Sequence, residues 1–221
     1  RPQEVARRFQ QLVPDDVRAV LTRLVENGYA AFLVGGCVRD LLLARPPKDW
    51  DVTTSARPQV VRQLFPRTVP TGIQHGTVTV RMGGRNVEVT TFRREGTYKD
   101  HRHPDQVEFI DDLQADLARR DLTINAMAID HRGRLHDPLG GLEDLAQGIV
   151  RAVGDPERRF QEDALRLLRV GRFAARFGVK KTYLDYREMI LKERPDIVSV
   201  TTPSFARAEP IIFAAENGVR G

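Results

Sequence analysis

Two aspartates, Asp49 and Asp51, stand two residues apart in the run Lys48-Asp49-Trp50-Asp51-Val52. The run reads as a strand, and side chains at i and i+2 of a strand point the same way. Both carboxylates would then share one face, close enough to hold divalent cations between them. Hard cations take carboxylate oxygens, and magnesium commonly joins one or two carboxylates to substrate phosphates. Upstream, a short apolar run from Ala31 to Val34 meets Gly35-Gly36, and a helix-like segment follows from Cys37 to Ala44. Strand, glycine turn and helix start make a seat for phosphate, because backbone N–H groups and the helix dipole face the anion. Each half alone is commonplace: paired glycines usually form a tight turn, and an acid-x-acid pair usually decorates a strand edge. A phosphate seat and a metal seat one helix apart, with Arg39 and Asp40 between them, point to nucleotide chemistry.

Further groups could complete such a site. His75 to Arg81 alternates in the manner of a strand, Gly83-Gly84 makes a hairpin turn, and Asn86 to Phe92 forms the partner strand. Val87, Val89 and Thr91 share one face of it, and Glu88, Thr90 and Phe92 the other. Glu88 is thus a candidate third carboxylate; its bland alternative is an exposed strand glutamate. Arg119 and Arg120 could clamp triphosphate oxygens with charge-assisted, bidentate bonds. Asp121 could hold an arginine in place, and Asn125 could bond a ribose hydroxyl or phosphate. A surface salt-bridge cluster is the ordinary reading of Arg-Arg-Asp alone. Pro156 to Phe177 reads as a long helix on which Arg166, Arg169, Arg172 and Arg176 form a basic ridge at near-helical spacing.

Several of these segments resemble one family in the right order. GGCVRD followed by KDWDVTT resembles the head of the class II tRNA nucleotidyltransferases, the group of CCA-adding enzymes and bacterial poly(A) polymerases within the polymerase-beta-like nucleotidyltransferases. Arg119 to Ala126 resembles the RRDxTxNA signature, with Leu122 where phenylalanine is common. Asp137 to Leu145 resembles DPxxGxxDL, in which Asp137 and Asp144 are expected to be structural. Glu162-Asp163-Ala164-Leu165-Arg166 resembles the EDxxR nucleobase-reading motif. The resemblance covers roughly Tyr29 to Gly178.

The resemblance implies a reaction and a set of roles. A nucleic-acid 3′-hydroxyl would attack the α-phosphate of ATP or CTP at a tRNA 3′ end, and pyrophosphate would leave. Asp49 and Asp51 would hold Mg2+, with Glu88 as the third acid. Gly35, Gly36, Arg39 and Arg120 would position the triphosphate, with Arg119, Asp121 and Asn125 completing the nucleotide site. Asp163 would accept from, and Arg166 donate to, the base edge of C or A, and Arg169 and Arg172 match neighbouring nucleotide contacts. The charged segment Arg93 to Gln106 resembles a loop that assists nucleotide selection, which fits CCA-adding or A-adding members. The implied fold is α+β: a nucleotidyltransferase head with a mixed or antiparallel sheet at 29–148, after an N-terminal helix within 1–28. A helical neck stub at 149–178 and an atypical α/β tail fragment at 179–221 would follow.

Composition sets the frame for these elements. With 221 residues, one or two domains and a real core are expected. The net charge of +5 leans toward a polyanionic partner. A single cysteine, Cys37, excludes disulfide scaffolds and multi-cysteine zinc sites within the chain. No apolar run reaches membrane-spanning length and no signal-peptide pattern is present, so no membrane partner and a cytoplasmic location are expected. The chain opens on Arg1 and not Met, which suggests a fragment or a processed form. Arg1 to Gln11 is polar and expected to fray, and Asp15 onward, with Val17, Val20, Leu21 and Leu24, reads as a helix. Arg57 to Phe65 reads as a helix, Pro66 to Gly76 as turns, and Ala126 to Asp130 as a strand.

Lys180 to Gly221 departs from the family. Tyr186 to Lys192 suggests a helix, Asp196 to Val200 a buried strand, and Ala206 to Ala215 a helix ended by Asn217-Gly218. This resembles part of the Rossmann domain of the Gfo/Idh/MocA oxidoreductases, without a glycine-rich dinucleotide fingerprint, and suggests a join near Phe173 to Val179. Three rival functions remain. One is a poly(A) polymerase. Another is an inactive fragment or non-catalytic nucleic-acid-binding module. The third is an oxidoreductase fragment that NADH binding would reveal.

Overall fold

The computed structural model describes residues 2–95, 107–154, 186–194 and 208–219. It separates into two units, Arg1–Gly154 and Asp155–Gly221. In the first, helices α1 (Pro2–Leu12) and α2 (Asp15–Glu26) precede β1 (Ala31–Val34), α3 (Gly36–Leu42), β2 (Trp50–Thr54) and α4 (Pro58–Leu64). Then come β3 (Thr68–Gly72), β4 (Thr77–Met82), β5 (Arg85–Thr91), β6 (Arg93–Glu95), β7 (Val107–Phe109) and α5 (Leu113–Ala118). The unit closes with β8 (Ala128–Asp130), β9 (Leu135–His136) and α6 (Gly141–Gln147).

The seven-stranded sheet runs β3-β4-β5-β2-β1-β8-β9, and a separate β6-β7 ribbon stands beside it. The sheet is mixed: β2 pairs parallel with β5, and its other pairings are antiparallel. The fold class is α+β, as the sequence implied.

Alternation along the strands decides which face is apolar. Ala31, Leu33, Val52, Val78, Val80, Val87, Val89 and Ile129 join one buried cluster with Val17, Val20, Leu21 and Leu24 of α2, and with Cys37, Val38 and Leu41 of α3. Successive strand side chains point to opposite faces, so Asp51, Thr53, Glu88 and Thr90 project from the other face. Val34, Ala128 and Leu117 form a smaller cluster there, where α5 covers part of that face. One face is thus a helix-backed core, and the other carries the polar groups.

Three local expectations fail. The polar N-terminus is not frayed but forms α1, with Val5 and Phe9 one turn apart and buried. A two-residue apolar stripe at i, i+4 is enough to dock a helix, and Arg8 donates to the Leu42 carbonyl at the end of α3. Gly133, at φ +80°, brings the β8–β9 turn so close that an added Cβ would lie 3.0 Å from Ala6 Cα. Within the segment expected to be only turns, Thr68–Gly72 forms edge strand β3, with an irregularity between Val69 and Gly72. Pro70 masked the strand, since proline is tolerated at edges and bulges. Finally, β2 begins at Trp50, so Asp49 precedes the strand and does not belong to it.

In the second unit, α7 (Tyr186–Glu193) and α8 (Ala208–Glu216) match the two helices expected in the tail. Ile190, Ala214 and Val219 form a small core. Arg187 pairs with Glu209 and lies 5.8 Å from the Phe213 ring centroid. Gly218, at φ +78°, follows the end of α8. The long helix expected at 156–177 and the strand expected at 196–200 lie outside the described residues.

Candidate active site

The site is built on β2 and the strand beside it. Asp51 is the second residue of β2, and the parallel pairing sets it in register with Glu88 of β5. Glu88 is exposed and Asp51 half-buried. Burial first, then the Glu88 charge and more weakly the Asp49 charge, push the Asp51 carboxyl up to about 6 against the opposing Arg120 guanidinium. Asp49 therefore acts on Asp51 from just outside the strand, and not as its same-face strand neighbour.

The donor set is all oxygen. Among the described residues no three His, Cys, Asp or Glu side chains close into a metal cage. Two carboxylates that repel each other, in a polar face, fit a hard cation that completes its shell with substrate phosphate oxygens and water.

The glycine turn lies against this pair. Gly35, at φ +73° and ψ −138°, caps α3. A Cβ there would stand 3.3 Å from Arg120 Nη1 and 3.6 Å from Asp51 Oδ2. The positive φ explains why glycine is needed, since side chains resist that region. Cys37 donates from Sγ to the Val34 carbonyl at 3.0 Å, and burial, then the Asp51 charge, pushes its thiol up to about 12.

Two polar networks hold the arginines. In the first, Arg39 is 3% exposed and its guanidinium lies beneath Gly36. Its Nη1 donates to Asn125 Oδ1 at 2.6 Å, and its Nε and Nη2 donate to Asp40 Oδ1 at 3.1 and 2.9 Å. Asn125 Nδ2 in turn donates to Asp121 Oδ1 at 3.3 Å. The three expected nucleotide-site residues Arg39, Asn125 and Asp121 thus hold one another.

In the second network, Arg119 Nε donates to Asp116 Oδ1 at 2.9 Å, and Arg120 Nη2 lies 3.6 Å from Asp116 Oδ2. Burial raises Asp116, but Arg119 and Arg120 more than offset it, and its carboxyl lies below the usual range. Burial, with Arg119 alongside, lowers the Arg120 guanidinium from its ordinary value. The sequence reading did not single out Asp116, although its position three and four residues before the arginine pair is a helical ion-pair spacing.

Asp137 and Asp144 have local partners. Asp137 accepts from the backbone N–H groups of Gly141 and Leu142 at the start of α6. Asp144 accepts from Thr123 Oγ1 at 2.6 Å and from Arg151 Nε. Asp163, Arg166, Arg169 and Arg172 lie outside the described residues, as does 96–106 of the charged loop.

Comparison with known proteins shows what the chain is similar to. Residues 31–151 match the family described as the poly(A) polymerase head domain. Over 171 residues the chain is 50% identical to the CCA-adding enzyme of Ligilactobacillus salivarius, covering 76% of this chain and 42% of that protein. The structure is similar to that of the Bacillus stearothermophilus CCA-adding enzyme in complex with CTP, with a TM-score of 0.68 and 36% identity over 97% of this chain and 53% of that one. It is also similar to the Thermotoga maritima CCA-adding enzyme complexed with tRNA, with a TM-score of 0.64 and 27% identity over 86% of this chain and 44% of that one. The chain belongs to the poly(A) polymerase head domain family. It spans less than half the length of the Ligilactobacillus relative. Among the described residues no helix is long and apolar enough to cross a membrane.

Proposed function

We propose that this chain is a template-independent nucleotidyltransferase that adds C and/or A residues from CTP or ATP to a tRNA 3′ end. The observation that carries the reading is the Asp51–Glu88 pair in register on β2 and β5, with Gly35 and Arg120 against it. The names of the relatives, CCA-adding enzymes solved with CTP and with tRNA, support the same substrates. The cytoplasm is the compartment proposed for such a reaction.

In this reading the 3′-hydroxyl oxygen bonds to the α-phosphorus, the bond from that phosphorus to the bridging oxygen breaks, and pyrophosphate departs. Gly35 lets the triphosphate approach the backbone, and Arg120 supplies positive charge beside Asp51. Asp121 and Asn125, fixed by Arg39, shape the adjoining wall. By the family resemblance, Asp163 and Arg166 would read the base edge of C or A, and Arg169 and Arg172 match neighbouring nucleotide contacts. Asp49 and Asp51 are the residues that would hold Mg2+, with Glu88 as a helper beside Asp51. When bound, the ion would supply activation of the attacking hydroxyl and charge compensation at the leaving group. Most of the acceleration then comes from positioning and charge stabilisation, as in other phosphoryl transfers.

The test is incubation with labelled CTP or ATP and a tRNA lacking its terminal CCA. Discrete extension by up to three nucleotides, lost in Asp51→Asn, is expected. A folded protein that extends no RNA overturns the reading. The family description favours one alternative, a poly(A) polymerase; long homopolymer growth from ATP alone on any RNA end would select it.

A further inference from the structure

A fully buried carboxylate lies behind the site, with no part so far in binding or chemistry. Asp116 is 0% exposed and ties the end of its own helix to β2 and β6. Its Oδ2 accepts from Thr53 Oγ1 of β2 at 2.9 Å. Its Oδ1 accepts from the backbone N–H of Arg93 in β6 at 3.1 Å and from Arg119 Nε at 2.9 Å. Arg120 Nη2 stands 3.6 Å from Oδ2.

The two arginines are held differently. Arg119 is hydrogen-bonded to the carboxylate. Arg120 sits beyond ordinary hydrogen-bond distance, so the attraction is Coulombic and does not occupy its donors. The Arg120 Nε is buried without a hydrogen-bond partner among the described residues. Its Nη1 meanwhile reaches the Gly35 turn, 3.3 Å from where a Cβ would project. Thr53, the other Asp116 contact, lies two residues beyond Asp51 on the same face of β2. One carboxylate thus fixes the strand that carries Asp51 and the cation that faces it.

We propose that Asp116 is a positioning residue that holds the Arg120 guanidinium against the Gly35 turn and Asp51, with its donors kept for a nucleotide triphosphate. The proposal rests on the nucleotidyltransferase reading. Without the negative charge, two neighbouring guanidinium groups repel each other in a buried setting, and Arg120 leaves its place. Asp116 itself touches no nucleotide and acts only through the arginine.

A double-mutant cycle separates this role from a general structural one. ATP and CTP dissociation constants, with magnesium, are measured for the full chain and for Asp116→Asn, Arg120→Ala and the double variant, with folding checked by circular dichroism. Asp116→Asn is expected to weaken nucleotide binding about tenfold in the native background and less than about twofold when Arg120 is already alanine. An equal loss in both backgrounds, or no loss in a folded Asp116→Asn protein, overturns the proposal. If Asp116→Asn does not fold, Thr53→Val decides. That variant removes one bond to Oδ2 and keeps the charge. It is expected to weaken binding about threefold, again only when Arg120 is present, and an effect independent of Arg120 overturns the proposal. A wild-type chain that binds neither nucleotide fails earlier and overturns the nucleotidyltransferase reading itself, and this proposal with it.

Discussion

Asp51 of β2 and Glu88 of β5 stand side by side in a parallel strand pairing, two like charges in register. Such pairs are destabilising in a sheet, and carboxyls perturbed in this way cluster at functional sites. Asp51 carries the strain: it is pushed from 3.8 to about 6 by burial first and Glu88 second.

The sign of the Asp51 effect on stability follows from that shift. Its stabilising contribution is complete below the unfolded value of 3.8 and is lost as pH rises through the folded value of about 6. In metal-free protein, Asp51→Asn should therefore be more stable than wild type at pH 7, by about 1–3 kcal/mol. It should also lose the decline in stability between these two values. Thermal melts across this range, in chelator, check both. The same variant should lower nucleotidyl transfer by at least about a hundredfold.

Gly35→Ala should separate the turn from the fold. The strained φ costs about 1–2 kcal/mol, and the new Cβ crowds Arg120 and Asp51 at 3.3 and 3.6 Å. A modest fall in melting temperature with a much larger loss of nucleotide affinity is expected. Gly141→Ala is the contrast: its Cβ would sit 2.2 Å from the Thr123 carbonyl oxygen, so stability falls first.

Asn125→Ala removes the side-chain acceptor facing a 3%-exposed arginine. Leaving a buried charged donor without that bond costs about 1–3 kcal/mol. Denaturant unfolding should show the loss, and Asn125→Asp, which keeps an acceptor for Arg39 but faces the Asp121 carboxylate with an oxygen where Nδ2 donated, should recover only part of it.

Cys37 should be inert in the folded protein. It is buried, and its thiol is pushed up to about 12. Alkylating reagents at pH 8 should modify it only after unfolding, read by mass spectrometry.

Much of this site was legible because its parts are local. The Gly35-Gly36 turn, Asp51 and the Arg119-Arg120-Asp121 run announce themselves within a few residues of chain, whereas Asp49, expected on the strand, precedes it. Alternation in β5 correctly separated buried Val87 and Val89 from exposed Glu88. What stayed hidden depends on distant contacts. Nothing local says that Asp116 meets Thr53, sixty-three residues away, or that Arg39 meets Asn125 across eighty-six. The α1 helix was missed because its apolar stripe is narrow in a polar sequence, and β3 because Pro70 sits in an edge strand, where its missing N–H is tolerated.

The most direct test of the central claim is calorimetric titration of the chain with ATP, CTP, GTP, UTP and NADH, each with magnesium. Binding of ATP or CTP in preference to the others, weakened by Arg166→Ala and by Gly35→Ala, is the result predicted for a working nucleotidyltransferase head. Binding of NADH alone, or of no nucleotide by a folded chain, would contradict it.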